Sequence, residues 1–187
     1  MRYENIWFTS DQHYFHHNII RYSKRPFRDV YEMNEELIAR HNRVVGPNDL
    51  VIQLGDFTMN DKYAESVFRR LHGHQKLIPG NHDPCYRKHS RWQHWTEKYL
   101  KMGFLEVLQQ DEIEIKRHKV LIDHMPYVQD SRHGDKYAAY RPKDQGRWLL
   151  HGHIHTMWKV RDRQINVGVD VWNYAPVHID ELAKLID

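Results

Sequence analysis

The sequence predicts an α/β domain in which one β-sheet packs on another and helices lie outside. Two patterns point there. Strand-like apolar runs alternate with helical periodicity up to about residue 101, and from residue 104 the runs are mostly β-like. At 187 residues, 40% hydrophobic and 12% aromatic, the chain can build one substantial core but not two. It carries no internal repeat, low-complexity tract or Gly/Ser linker, so residues 1–187 read as a single domain.

Residues 5–10 (NIWFTS) read as a buried first strand. Val30, Met33, Leu37, Ile38, Val44 and Val45 fall close to helical spacing, with Asp29 placed as N-cap and Gly46 ending the run. A GPN turn leads to the strand DLVIQL (49–54), followed by a helix from about 61 to 72 that Gly73 closes. The strand QKLIP (75–79) precedes a Trp- and Tyr-bearing helical stretch from about 85 to 101. FLEVLQ (104–109), DEIEIK (111–116) and KVLID (119–123) read as successive strands. Residues 127–147 form a polar segment without a clear period. WLLHG (148–152) and QINVGVD (164–170) read as strands, and DELAKLI (180–186) as a closing helix.

Composition narrows the function. The net charge of +3 suits an anionic substrate but falls short of the basic excess of a dedicated nucleic-acid binder. No run approaches the roughly 18 apolar residues of a membrane span. The N-terminus lacks a signal-peptide pattern, and the single cysteine, Cys85, fits a reducing cytosol, so a cytoplasmic protein without a membrane partner is expected. The outlying count is 16 histidines, histidine being the commonest metal ligand and acid–base residue near neutral pH.

Polar residues of ligand type recur just past strand ends. Asp11 and His13 follow the first strand, Asp56 follows LVIQLG, and Asn81, His82 and Asp83 follow KLIPG. His124 follows VLID, and His153 and His155 follow WLLHG. In α/β sheets the crevice outside the carboxyl ends of the strands is where such residues converge. Two carboxylates, an amide and four imidazoles are too many for one metal and suit two, with one carboxylate bridging. Two divalent ions can activate a water and clamp the attacking and leaving oxygens of an in-line phosphoryl displacement. Gly55, Gly80 and Gly152 precede three of the clusters, where the chain must turn sharply.

The ordered series DxH (11–13), GD (55–56), GNHD (80–83), a lone His124 and GHxH (152–155) resembles the calcineurin-like metallophosphoesterase superfamily. The flanking DQHYFHHNII, RPF and INVGVDVWNYAPV resemble a small bacterial and phage branch of it. The DxHG and GDxVDRG motifs of the protein Ser/Thr phosphatases are absent: this chain reads DQHY and GDFTMN. The resemblance implies a four-layer α-β-β-α sandwich with two mixed sheets. It implies that Asp11, His13 and His155 hold one metal, that Asn81, His124 and His153 hold the other, and that Asp56 bridges. The metals would most readily be manganese, with iron, zinc or nickel accepted by the same ligands. His82 then protonates the leaving alkoxide or stabilises phosphoryl charge, while Asp83 orients His82 or supports its loop.

Other residues carry blander expectations. His72 and His74 read as surface residues, His151 as strand packing, and His41 as core or boundary. Trp92, Trp95 and Tyr99 read as packing, and Cys85 as filler. His16, three residues past His13, is a candidate for substrate contact. Arg25 sits in RYSKRPFR (21–28), which with Arg132, Lys136, Arg141, Lys143 and Arg147 could rim the site and grip phosphates. Arg25 precedes Pro26, which biases it toward extended backbone and away from a buried helix. The 127–147 segment, tethered at His124 and near His153, is a candidate lid. The expected activity is hydrolysis of a phosphate mono- or diester of a small molecule or nucleotide. The alternatives are a nuclease or an inactive protein-binding scaffold.

Overall fold

The computed structural model describes residues 3–128 and 137–186. Two five-stranded mixed sheets pack face to face between helical segments, as the sequence predicts. The first sheet has the order β10-β1-β2-β3-β4, with β1 (Ile6–Thr9), β2 (Leu50–Gln53), β3 (His74–Leu77) and β4 (Glu106–Val107) parallel and β10 (Val177–His178) antiparallel at the edge. The second has the order β5-β6-β7-β9-β8. Its centre, β6 (His118–Ile122), β7 (Leu149–His151) and β9 (Gln164–Asn166), is parallel, and β5 (Asp111–Ile115) and β8 (Val160–Arg161) pair antiparallel at the edges.

Strand alternation builds the core. Leu50 and Ile52 of β2, with Phe8, Ile78 and Val177, meet Ile115, Val120, Ile122, Leu150 and Ile165 of the other sheet. The opposite face of the first sheet is covered by α1 (His17–Tyr22), α2 (Val30–Val44), α3 (Asp61–Phe68) and α4 (Trp92–Met102) through a second apolar cluster. That cluster holds Cys85 and Tyr99, with Trp95 packed against it, so these residues are packing as expected. The closing helix α5 (Ile179–Ala183) adds Leu182 to the inter-sheet core. The outer side of the second sheet carries a 3-10 turn at Ala138–Tyr140.

α2 matches its sequence signature closely. Asp29 accepts hydrogen bonds from the Tyr31 and Glu32 amides, satisfying two of the helix's orphan donors. Val30, Met33, Leu37, Ile38 and His41 form its buried face. α4 begins later than the sequence suggests, at Trp92 and not near 85, because residues 81–91 form successive turns around Asn81 and His82.

A buried amide ladder ties the parallel strands together beneath the helices. Gln12 Nε2 donates to Gln53 Oε1 (2.6 Å), Gln53 Nε2 to Gln75 Oε1 (3.1 Å), and Gln75 Nε2 to the His72 carbonyl (2.7 Å). The same carbonyl lies 2.9 Å from His41 Nε2.

Burial holds the His41 imidazole down, to about 4. The unfolded chain takes up that proton near the ordinary value of about 6.5. His41 therefore contributes its full stability above pH 6.5, and the contribution is lost as pH falls toward 4, by on the order of 3 kcal/mol. In His41→Gln, whose amide can still donate to His72, the decline in urea-measured unfolding free energy between pH 7 and 4 should be shallower by that order. Parallel curves for parent and variant would remove His41 from the account.

Candidate metal centre

The carboxyl ends of β1, β2, β3, β6 and β7 open on one side of the sandwich, and every predicted ligand lies just beyond one of them. The backbone there is unusual. Asp11, His13, Asp56, His153 and His155 have φ between 49° and 73°. Left-handed backbone is uncommon for residues with a Cβ, costs on the order of 1–3 kcal/mol each, and persists where the surroundings over-determine it. Here tertiary hydrogen bonds do so: Asp11 N to Gly55 O, His13 N to Asp56 O, and His153 N to Asp11 Oδ2, each 2.9 Å.

Two of the flanking glycines are there for close approach more than for turning. A Cβ on Gly80 would stand 2.2 Å from Asp56 Oδ1 and 2.7 Å from His124 Cε1. One on Gly152 would stand 2.0 Å from Ser10 Oγ and 2.4 Å from Asp11 Oδ2. Gly55 alone of the three takes a left-handed φ, +90°.

The side chains converge as two triads. Donor atoms of Asp11, His13 and His155 lie within 4.8 Å of one another, as do those of Asp56, His124 and His153. Asn81 Oδ1, 3.2 Å from His124 Nε2, joins the second group. Asp56 stands between the two. Its Oδ1 accepts the His82 amide at 2.8 Å, and its Oδ2 lies 3.4 Å from His13 Nε2 and 3.6 Å from His124 Nε2.

Hydrogen bonding on the far ring nitrogens aims the imidazoles. His124 Nδ1 lies 2.6 Å from the Leu54 carbonyl and His155 Nδ1 lies 3.0 Å from Asp170 Oδ2, so each Nε2 presents a lone pair to the cluster. Among the described residues neither nitrogen of the buried His13 has a hydrogen-bond partner, a costly arrangement that a divalent cation at Nε2 would relieve. Burial holds His13 well below its ordinary range despite the nearby Asp56 carboxylate, which keeps it neutral and ligand-ready. Burial alone would raise Asp56, but the neighbouring imidazoles, His124 first among them, and the His82 amide reverse that and hold it below the usual carboxylate range. Oxygen and imidazole donors in this mix suit borderline divalent metals.

A cleft of about 530 Å³ opens onto the cluster. The partly exposed His82 lines it, with Nε2 4.0 Å from Asp56 Oδ2, and His16 lines it beside His13, their ring centroids 5.3 Å apart. Asp83 does not reach His82. It is fully buried and accepts from the Asp56, Phe57 and Gly80 amides at 2.8, 3.1 and 2.8 Å, a brace between two ligand loops. Of its two expected tasks, loop support is the one the geometry serves.

Arg25 corrects the sequence reading. It does not rim the cleft: its side chain has no exposure and forms a bidentate pair with Asp170, Nε to Oδ1 at 2.8 Å and Nη2 to Oδ2 at 2.9 Å. It also donates to the Asp11 and Gln12 carbonyls at 2.7 and 2.8 Å. Proline does keep Arg25 out of a helix, yet those unpaired loop carbonyls draw it inward. Asp170 escaped the sequence reading altogether. One carboxylate there orients His155 and anchors the arginine that holds the Asp11 loop. The only signal was its place at the end of VGVD, another strand-end acid.

Of the other cations, Arg132 and Lys136 lie outside the described residues, as does the middle of the suggested lid. Arg141, Lys143 and Arg147 line a separate cleft with Arg87 on the far side of β6, so they do not rim this one. Tyr137 does come close, its ring 5.4 Å from that of His153. His151 is buried against Trp158, as expected of strand packing. His72 is exposed in its turn, and His74, at the start of β3, is half-buried.

Removing one partner of a buried ion pair strands the other, at a cost of about 3–5 kcal/mol. Arg25→Ala should therefore lower the unfolding free energy by that order in urea melts of the metal-free protein. A loss below about 1 kcal/mol would mean that Asp170 is satisfied without it.

No protein-family model matches the chain. The uncharacterized protein MJ1445 of Methanocaldococcus jannaschii is 33% identical over 197 residues, covering 100% of this chain and 94% of that protein. The gene 66 protein of Mycobacterium phage L5 is 31% identical, covering 98% of this chain and 94% of its own length. Among solved structures, the protein of unknown function AQ665 from Aquifex aeolicus superposes with a TM-score of 0.71 at 25% identity, over 97% of this chain and 99% of that one. The likeness to MJ1445 and the phage L5 protein runs over nearly the whole of each chain, and the chain belongs to the family of MJ1445 and the mycobacteriophage gene 66 proteins.

Proposed function

We propose that the chain is a dinuclear-metal phosphoesterase of the calcineurin-like metallophosphoesterase superfamily, hydrolysing a phosphate mono- or diester of a small molecule or nucleotide. One observation carries this reading: a single buried oxygen, Asp56 Oδ2, stands 3.4 and 3.6 Å from imidazole nitrogens of two separate donor triads. That is the disposition a bridging carboxylate needs, and a merely structural aspartate would have no reason to face three imidazoles.

On this reading Asp11, His13 and His155 hold one ion, Asn81, His124 and His153 the other, and Asp56 both. Divalent ions held there supply Lewis acidity toward water and toward the phosphoryl oxygens. The protein's own part is to fix the ligands, exclude competing donors and move a proton. His82 stands over the cleft on the same loop as Asn81, with its backbone tied to Asp56, so its ring can deliver a proton to a departing alkoxide. Burial pulls its imidazole below the ordinary range, and the Asp56 carboxylate opposes that. Manganese is the proposed ion, and a cytoplasmic setting accords with the lone, buried Cys85. No helix among the described residues is long and apolar enough to cross a membrane.

The purified protein should bind two equivalents of manganese and hydrolyse bis(p-nitrophenyl) phosphate or p-nitrophenyl phosphate, with activity lost to chelation and restored by the metal. Asp56→Asn should lose metal and turnover while keeping the circular-dichroism spectrum of the parent. Two bound metals and a near-parental rate in that variant would rule out the bridge.

His82→Ala should instead retain both metals and slow turnover about 10²–10⁴-fold on alkyl esters. Nitrophenyl esters, whose leaving group needs little protonation, should suffer less. Equal losses on the two ester types would contradict a proton-donating His82.

A further inference from the structure

We infer that the cleft beside the metal centre is built for a phosphate ester whose alcohol carries a flat aromatic group, and not for a chain of phosphates. The inference rests on the phosphoesterase reading and specifies its substrate class. The imidazoles of His13, His82, His153 and His155 form the metal-side wall of the cleft. The same cleft is lined by Tyr22, Met59 and Met157, by Ile19 and Ile154, and by the small polar residues Ser23 and Thr156. Tyr22 is 63% exposed, Met157 58% and Met59 39%, so three of the molecule's exposed large apolar side chains gather at one opening. Apolar surface left in water beside a reactive centre marks a binding wall.

The residue types point to a ring. Methionine sulfur packs favourably against aromatic edges, and tyrosine offers both a face and an edge. His16 already meets Tyr22 edge-on, with ring centroids 6.3 Å apart and planes at 78°, so the pair forms a corner with two aromatic walls. The three side chains come from separate segments. Tyr22 ends α1, Met59 is held by its amide to the Tyr14 carbonyl at 2.9 Å, and Met157 by its amide to the Ile154 carbonyl at 3.1 Å. The backbone that carries these side chains is thus fixed by the fold.

Charge argues the same way. Neither lysine nor arginine is among the described residues lining this cleft. Arg21 holds its guanidinium 5.5 Å from the Tyr22 ring centroid, and Arg25 is buried behind the ligand loops. A second or third phosphate would meet no guanidinium or ammonium group among the described residues that line the cleft itself. The cleft volume, about 530 Å³, suits a nucleoside- or naphthyl-sized group together with its phosphate.

The test uses non-hydrolysable probes on the full chain carrying ¹³C-methyl methionine, with and without manganese. The probes are methylphosphonate, 1-naphthylmethylphosphonate and tripolyphosphate. Binding of methylphosphonate only in the presence of manganese tests the metal reading; the naphthyl-to-methyl affinity ratio tests this inference separately. We expect the naphthyl probe to bind roughly tenfold or more tightly than methylphosphonate, the gain of burying an aromatic group. It should shift the Met59 and Met157 methyl signals by its ring current, and Tyr22→Ala should bring the ratio toward one. Equal affinities, unshifted methyl signals at saturation, or a preference for tripolyphosphate would each overturn the inference, even if methylphosphonate binding proved metal-dependent.

Discussion

The carboxylate of Asp56, almost wholly removed from solvent, sits where the carboxyl ends of the two sheets meet, and much of the surrounding structure exists to hold it there. Burying an isolated carboxylate is expensive, and the group would ordinarily take up a proton instead. Here three imidazoles face it and the His82 amide donates to it, so it stays charged. Gly80 is bare because any side chain would strike it. Asp83 braces the Asp56 and Gly80 backbones from behind with three amide bonds. Burial and the neighbouring Asp56 raise Asp83 above the usual carboxylate range, the cost of setting two acids side by side.

Around that carboxylate the two donor sets are held by different means. The His124 side is fixed by backbone: the Leu54 carbonyl orients His124, and parallel pairing of β6 with β7 brings the His153 turn alongside. The His155 side is fixed by charge: Asp170 orients the ring, and Arg25 ties Asp170 to the Asp11 and Gln12 carbonyls. A buried ion pair adds little net stability when the alternative is an apolar pair of the same shape. Its use here is geometric. The planar fork of Arg25 fixes three groups from two distant loops at once, which no apolar side chain could do. Left-handed backbone at five of the seven candidate ligands shows that these loops are shaped by what they hold.

Local sequence made the elements beside the site legible. The Asp29 cap, the apolar spacing of α2 and the β2 run are short-range signals, and the structure places them within a residue or two. The ligand candidates were legible because each follows a strand end, a position that topology alone makes convergent. What lay hidden depends on pairs far apart in the chain. Arg25 and Asp170 are 145 residues apart, and nothing local distinguishes that pair from a solvated charge on each loop. The edge strands β8 and β10 have two residues each, too few for any period to show. The six-residue α1 has no side-chain cap hydrogen bond at His16 and buries only Ile19, so it too leaves almost no pattern. Gly80 and Gly152 read as turn residues, whereas steric contact between loops is what forbids a side chain there.

On the proposed reading, the same geometry explains why the described residues lining the cleft include histidines and no arginine. If Asp11 and Asp56 are the carboxylates among the ligands and the imidazoles are neutral, two divalent ions leave the centre with a surplus of about two positive charges. That surplus matches a phosphoryl group by itself, and additional guanidinium groups would hold the product as firmly as the substrate. Arginine is accordingly placed behind the ligands, where Arg25 spends its donors on Asp170 and two carbonyls. Among the described residues the cleft in front is lined, beside the ligands, by His16, His82, Ser23, Thr156 and apolar side chains. On the proposed reading the centre itself recognises the phosphate, and discrimination among substrates falls to the group on the other side of the ester oxygen. That task belongs to whatever Tyr22, Met59 and Met157 admit.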